Sequence, residues 1–112
     1  METMDPTLAK CITNGAATLK MLSSRRTIEI LYTFCCAPKK LRFNELNTHL
    51  NHISTKTLAS RLKELEKERI LTRTAYNEIP PRVEYSLTPK GQNLLEALLP
   101  LIQWIANEKQ KF

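Results

Sequence analysis

Lys56, Ser60, Lys63 and Lys67 recur at spacings of four, three and four residues. At about 100° per residue, that spacing draws them along one side of a helix. Leu58, Leu62 and Leu65 fall on the other side of the same stretch. A helix that buries leucines and presents ammonium and hydroxyl groups is suited to a polyanion. In the major groove of DNA, lysine reads guanine acceptors or holds phosphate, and Ser or Thr pairs with several bases or with phosphate oxygens. The N-terminal residues of such a helix reach the base edges. The candidate contact set is therefore Ser54, Thr55, Lys56, Thr57, Ser60, Arg61 and Lys63, with Asn44 added from the short segment upstream. Ser54 also suits the N-cap, and the free amides of the first turn form an anion-binding end. The plain alternative is an amphipathic surface helix with solvated lysines. Glu64, Glu66 and Glu68 favour that alternative, since carboxylates repel phosphate, but they lie in the second half of the helix. Arg61 sits about 50° from the leucine side and can either bind phosphate or pair with Glu64 or Glu66.

Other residues offer less. Arg82 stands beside Pro80-Pro81, so a stiff loop could carry its guanidinium onto the DNA backbone or into a narrow minor groove; the bland reading is a solvated loop with one charge. Lys39, Lys40 and Arg42 are further phosphate anchors. His49 and His52 are three apart without a convincing cysteine or carboxylate partner, so no metal site is expected. No nucleotide loop or nucleophile motif is present, which argues against an enzyme and against a cofactor. Cys11, Cys35 and Cys36 make an odd count, as expected of free thiols in a reducing compartment. Cys35 and Cys36 read as structural, because neighbouring helical residues point about 100° apart and are poorly placed to bridge.

Local signals place these residues on elements. Asp5-Pro6 starts a short helix, with Asn14-Gly15 as a break and a second helical stretch from Ala16. Ser23-Ser24 offers a cap for Arg25–Ala37, where Ile28, Leu31, Tyr32 and Cys35 form one stripe. Ala37-Pro38 ends that helix. Lys39–Phe43 suits a stub of strand. Asn44 caps a brief helix, Glu45–Leu50, and Asn51-His52-Ile53 is a turn. Ser54 then caps Thr55–Arg69, about 22 Å long. Leu71–Tyr76 and Val83–Leu87 read as strands, with Asn77–Arg82 as the hairpin tip, since two prolines cannot sit inside a paired ladder. Thr88 caps and Pro89 opens a last helix, Pro89–Lys109, which Pro100 should bend or interrupt. A helix, a tight turn, a second helix and a hairpin outline a winged helix-turn-helix, mainly α with a small β wing.

Totals agree with that outline. The chain has 112 residues, which fits a single domain spanning 1–112. Only 2 glycines are present, which disfavours an all-β fold with many tight turns. Against 11 Asp and Glu stand 17 Lys and Arg, a net charge of +6 that points to nucleic acid first and anionic membrane second. No apolar run approaches the ~20 residues of a membrane span, and Met1–Lys10 lacks the basic-then-apolar order of a secretory leader, so the expected location is cytoplasmic. Leu94, Leu95, Leu98, Leu99, Leu101, Ile102, Trp104 and Ile105 spread apolar surface widely round the last helix. One small core uses a stripe of only about 100° or slightly more. The excess points to a homodimer built on Leu98, Leu101, Ile102, Trp104 and Ile105, assisted by Leu8, Ile12 and Leu19.

Longer strings carry a resemblance. Ile53-Ser54-Thr55-Lys56-Thr57-Leu58, Arg61-Leu62-Lys63-Glu64-Leu65-Glu66, Thr72-Arg73 and Pro80-Pro81-Arg82-Val83-Glu84-Tyr85-Ser86-Leu87-Thr88 resemble the HxlR-type winged helix-turn-helix regulators of the MarR-like group. Phe43-Asn44-Glu45-Leu46 and Leu94–Trp104 are similar to that family too. The resemblance implies a homodimer with N- and C-terminal dimerisation helices. It would set two recognition helices on a double-stranded operator, with repression as the expected mode. Some members use an N-terminal cysteine to sense oxidants or electrophiles. Cys11 lies in about that region and is the candidate redox sensor, Lys10 and Lys20 being able to lower its pKa; an inert half-buried thiol is the alternative. A small-molecule effector fits the same scheme. The sequence departs from the family where Ser23-Ser24-Arg25-Arg26 stands for Gly-Gly-Lys-Trp, and where Arg69 stands for a glycine that would suit a left-handed C-cap. The rival reading is a winged-helix module that binds protein or RNA without an operator.

Overall fold

The computed structural model describes Thr7, Lys10 and residues 15–24, 26–36 and 40–110. The helix expected from Asp5-Pro6 lies largely outside the described residues; Thr7 and Lys10 are helical and exposed. Chain order is α1 (Ala16–Ser23), α2 (Thr27–Cys36), β1 (Leu41–Arg42), α3 (Phe43–His49), α4 (Thr55–Lys67), β2 (Leu71–Tyr76), β3 (Arg82–Leu87) and α5 (Pro89–Gln110). The strands form one antiparallel sheet ordered β1-β3-β2, with Leu41 opposite Tyr85 and the β2–β3 register running from Leu71↔Leu87 to Tyr76↔Arg82. The expected stub is thus the third strand of the wing sheet. This is the winged helix-turn-helix fold.

The core joins all the layers. Ile30 and Leu31 of α2, Leu41 of β1, Leu46 of α3, and Leu58, Leu62 and Leu65 of α4 are almost fully buried, as are Ile70, Leu71 and Leu95. Burying each such side chain contributes about 1.5–3 kcal/mol. The leucine side of α4 therefore faces inward as its periodicity requires, and its polar side is left outside.

Several local expectations need correction. The core side of α2 is Thr27, Ile30, Leu31 and Phe34, while Tyr32 and Cys35 are exposed. The helix is apolar nearly all round, so two overlapping stripes fit it, and packing against α3 and α5 selects one. Ser24 closes α1 rather than opening α2: its N–H donates to the Met21 carbonyl at 3.1 Å, and Arg26 follows with φ of 73°. Asn44 lies inside α3. That helix begins after Arg42, whose N–H donates to Glu45 Oε1 at 2.8 Å, one half of a capping box. Arg82 belongs to β3, not to the tip. Helix α5 runs unbroken through Pro100. Pro100 and Glu96 are both exposed, and the proline lacks the N–H that the carbonyl four residues back would otherwise accept.

Candidate nucleic-acid interface

Helix α4 begins where the sequence places it. Ser54 Oγ accepts the Thr57 N–H at 3.4 Å, a long cap bond. Ser54, Thr55, Lys56, Ser60 and Lys63 are exposed together on the outer side of the helix, and Thr57 is half-buried. Behind them, Leu58, Leu62 and Leu65 anchor the helix in the core. Asn44 is exposed on α3, and its carbonyl accepts the Thr48 hydroxyl at 2.9 Å.

The turn ahead of α4 is held from several directions. Asn51 and His52 take φ of 58° and 56°, conformations that Asn and His tolerate better than most residues. The His52 N–H donates to the Asn47 carbonyl at 2.8 Å, and the Asn51 N–H to Thr48 at 3.2 Å. Arg26 Nη2 donates to the Leu50 carbonyl at 2.6 Å, while its Nε lies 3.4 Å from Glu29. Arg26 thereby ties the start of α2 to the end of α3. Sequence reasoning missed this role, because the bond spans 24 positions and Leu50 offers only its backbone.

Two of the sequence-selected arginines are engaged within the chain. Arg61 pairs with Glu64 on α4, the carboxylate partner expected as one of its alternatives. Arg82 Nη2 lies 2.9 Å from Glu78 Oε1, and its guanidinium stacks 4.0 Å from the centre of the Tyr76 ring. Lys40 Nζ meets the Tyr76 hydroxyl from outside at 3.4 Å. These contacts brace the hairpin near its tip. Arg73, which sequence reasoning did not select for binding, is exposed on β2 beside α4.

The apolar candidates divide. Leu98 is 7% exposed and packs in the chain's own core, and Ile102 is half-buried against that core. Leu101, Trp104 and Ile105 are 46%, 60% and 44% exposed, and Leu19 on α1 is 51% exposed. Ile102 and Ile105, with Ile28, Tyr32 and Leu50, line a cleft of about 360 Å³ between α5 and the outer side of α2. Leu8, Ile12 and Cys11 lie outside the described residues. Among the described residues no His, Cys, Asp and Glu cluster could hold a metal ion, and no helix is long and apolar enough to cross a membrane.

The sequence pattern of the HxlR-like helix-turn-helix family matches residues 21–111. An uncharacterized HTH-type transcriptional regulator of Halalkalibacterium halodurans is 39% identical over 87 residues, which is 78% of this chain and 76% of that protein. Two further relatives are matched over 50% and 51% of their own length. Among solved structures, a MarR-family transcriptional regulator from Enterococcus faecalis V583 superposes with a TM-score of 0.73 at 32% identity, covering 99% of this chain and 94% of that one. The redox regulator HypR in its oxidized form gives 0.69 at 33% identity, over 78% and 88% of the two chains.

Proposed function

Since the chain belongs to the HxlR-like helix-turn-helix family, and so is a transcriptional regulator rather than an enzyme, we propose that it represses transcription in the cytoplasm as a homodimer bound to a double-stranded operator. Each protomer lays α4 in a major groove and sets the hairpin wing against the adjoining backbone or minor groove. Ser54, Thr55, Lys56, Thr57, Ser60 and Lys63 form the contact surface, with Asn44 at its edge. The observation that carries this reading is the exposed Lys56, Ser60 and Lys63 row on a helix rigidly backed by buried leucines. Arg61 and Arg82 serve it indirectly, by ordering α4 and the wing. The apolar ends of α1 and α5 supply the dimer contact. Thiol chemistry at Cys11 is the regulation that likeness to a redox regulator supports.

Selection of bound fragments from random duplex DNA, followed by titration at several salt concentrations, tests the reading. We expect an enriched two-part site and an affinity that falls steeply with salt, because phosphate contacts release counterions. Lys56→Ala and Ser60→Ala should change the sequence preference as well as weaken binding. Failure to retain any fragment above background at low salt would remove the operator-binding reading.

A further inference from the structure

The wing sheet and α4 do not close against each other completely. Between them lies a cleft of about 320 Å³ lined by Ala59, Lys63 and Glu66 of α4 and by Arg73 and Tyr85 of the sheet. The register explains why Arg73 is there. Arg73 stands opposite Tyr85 in the antiparallel β2–β3 pair, and opposite residues share a face of the sheet. Tyr85 is 9% exposed and turned to the core, so Arg73 leaves the sheet on the side where α4 packs. Thr72 and Thr74, its neighbours on the strand, point to the other face. On α4, Ala59, Lys63 and Glu66 lie together on the flank between the leucine side and the outer lysines. The methyl group of Ala59 leaves the cleft open.

Charge in the cleft is positive: two cations face one carboxylate. Among the described residues, neither Lys63 nor Arg73 forms an ion pair with Glu66. Both cationic side chains are exposed.

When a helix fills a major groove and the adjoining wing meets the neighbouring minor groove, one sugar-phosphate strand separates the two. It must cross the junction between helix and wing. That junction is this cleft. We infer that Arg73 and Lys63 clamp a phosphate of this strand, Arg73 being a DNA contact in place of the internally engaged Arg82. The inference rests on the operator-binding reading above. Guanidinium geometry suits the task, since its fork can donate two parallel hydrogen bonds to one phosphate. A contact of this kind fixes the depth and tilt of α4 without reading sequence.

The test uses the full chain and a fragment selected by the wild type. Affinity is measured over a salt series for wild type, Arg73→Ala, Arg73→Lys and Lys63→Ala, each first checked for an unchanged thermal midpoint. Arg73→Ala should weaken binding by roughly tenfold at near-physiological salt and lower the salt slope by about 0.9 per protomer, while the order of preferred sequences is kept. Arg73→Lys should restore most of the slope. A neutral methylphosphonate placed between the major-groove and minor-groove contacts should weaken wild-type binding and leave Arg73→Ala indifferent. If the wild type binds its fragment and Arg73→Ala keeps both the slope and the methylphosphonate sensitivity, the clamp is wrong while the operator reading stands. A wild type that binds no fragment overturns the operator reading and the clamp with it.

Discussion

Arg69 shows how one residue can be legible in sequence and still carry a cost. It follows α4 with φ of 61°, and the Ile70 N–H reaches back to the Leu65 carbonyl at 2.9 Å. This is the left-handed close of a helix, the position that favours glycine. A non-glycine residue there costs roughly 1–2 kcal/mol in Cβ crowding, partly offset because glycine is more disordered when unfolded. Arg69→Gly should therefore raise stability by about 0.5–1 kcal/mol, seen as a midpoint a few degrees higher in thermal unfolding. Arg69→Ala keeps the Cβ and should give no such gain. An equal gain in both variants would show that the arginine side chain, not the backbone conformation, sets the cost.

At the level of elements, the informative junction is the one between the recognition helix and the last helix. Thr88 Oγ1 donates to the Arg69 carbonyl at 2.6 Å and accepts the Gly91 N–H at 3.0 Å, and the Thr88 N–H donates to the Ile70 carbonyl at 3.0 Å. Lys90 Nζ adds a bond to the Glu68 carbonyl at 3.0 Å. The end of α4 and the start of α5 are thereby fixed to each other. Gly91 permits the approach: a Cβ built there would lie 2.2 Å from the Ile70 carbonyl oxygen and 3.0 Å from Leu87 Cδ2. The oxygen is backbone and already bonded, so α5 would have to move. Gly91→Ala should cost roughly 1–3 kcal/mol or more in chemical denaturation, well beyond an ordinary surface Gly→Ala change in a helix, which stabilises. A neutral or stabilising result would show that the two helices are less tightly joined than this geometry requires.

For the whole molecule, the question is what α5 does beyond its own core. The helix has 22 residues, about 33 Å, and its fully buried positions end at Leu98. Past that point, Leu101, Trp104 and Ile105 stay substantially exposed in the single chain. A second copy covering them would bury apolar surface and hold two α4 helices about 34–36 Å apart, one turn of DNA, or at a multiple of that. Trp104→Glu should abolish dimerisation and weaken operator binding while leaving helical content intact, because Trp104 is already 60% exposed in the single chain. Leu98→Glu should instead unfold the chain, since it places a charge in the core. Sedimentation equilibrium and circular dichroism separate the two outcomes. A wild-type chain that stays monomeric at micromolar concentration would remove the dimer and its two-part operator.

Caps, periodicity and proline placement announced most elements from the sequence alone. Ser54 before the leucine repeat of α4, the β-rich runs around Pro80-Pro81, and Thr88-Pro89 at the head of α5 act through nearest neighbours, so their meaning survives without a fold. The longer strings around α4 and the wing named the family. Four matters waited for the tertiary structure. Packing chose which of two apolar stripes on α2 turned inward. Pairing of β1 with β3 made the stub a third strand. Arg82 was drawn to Tyr76 and Glu78, leaving Arg73 beside Lys63. Leu98 went to the core while Trp104 and Ile105 did not. Each depends on groups distant in the chain meeting in space, and an amphipathic or cationic residue is compatible with several such meetings until the other elements are in place.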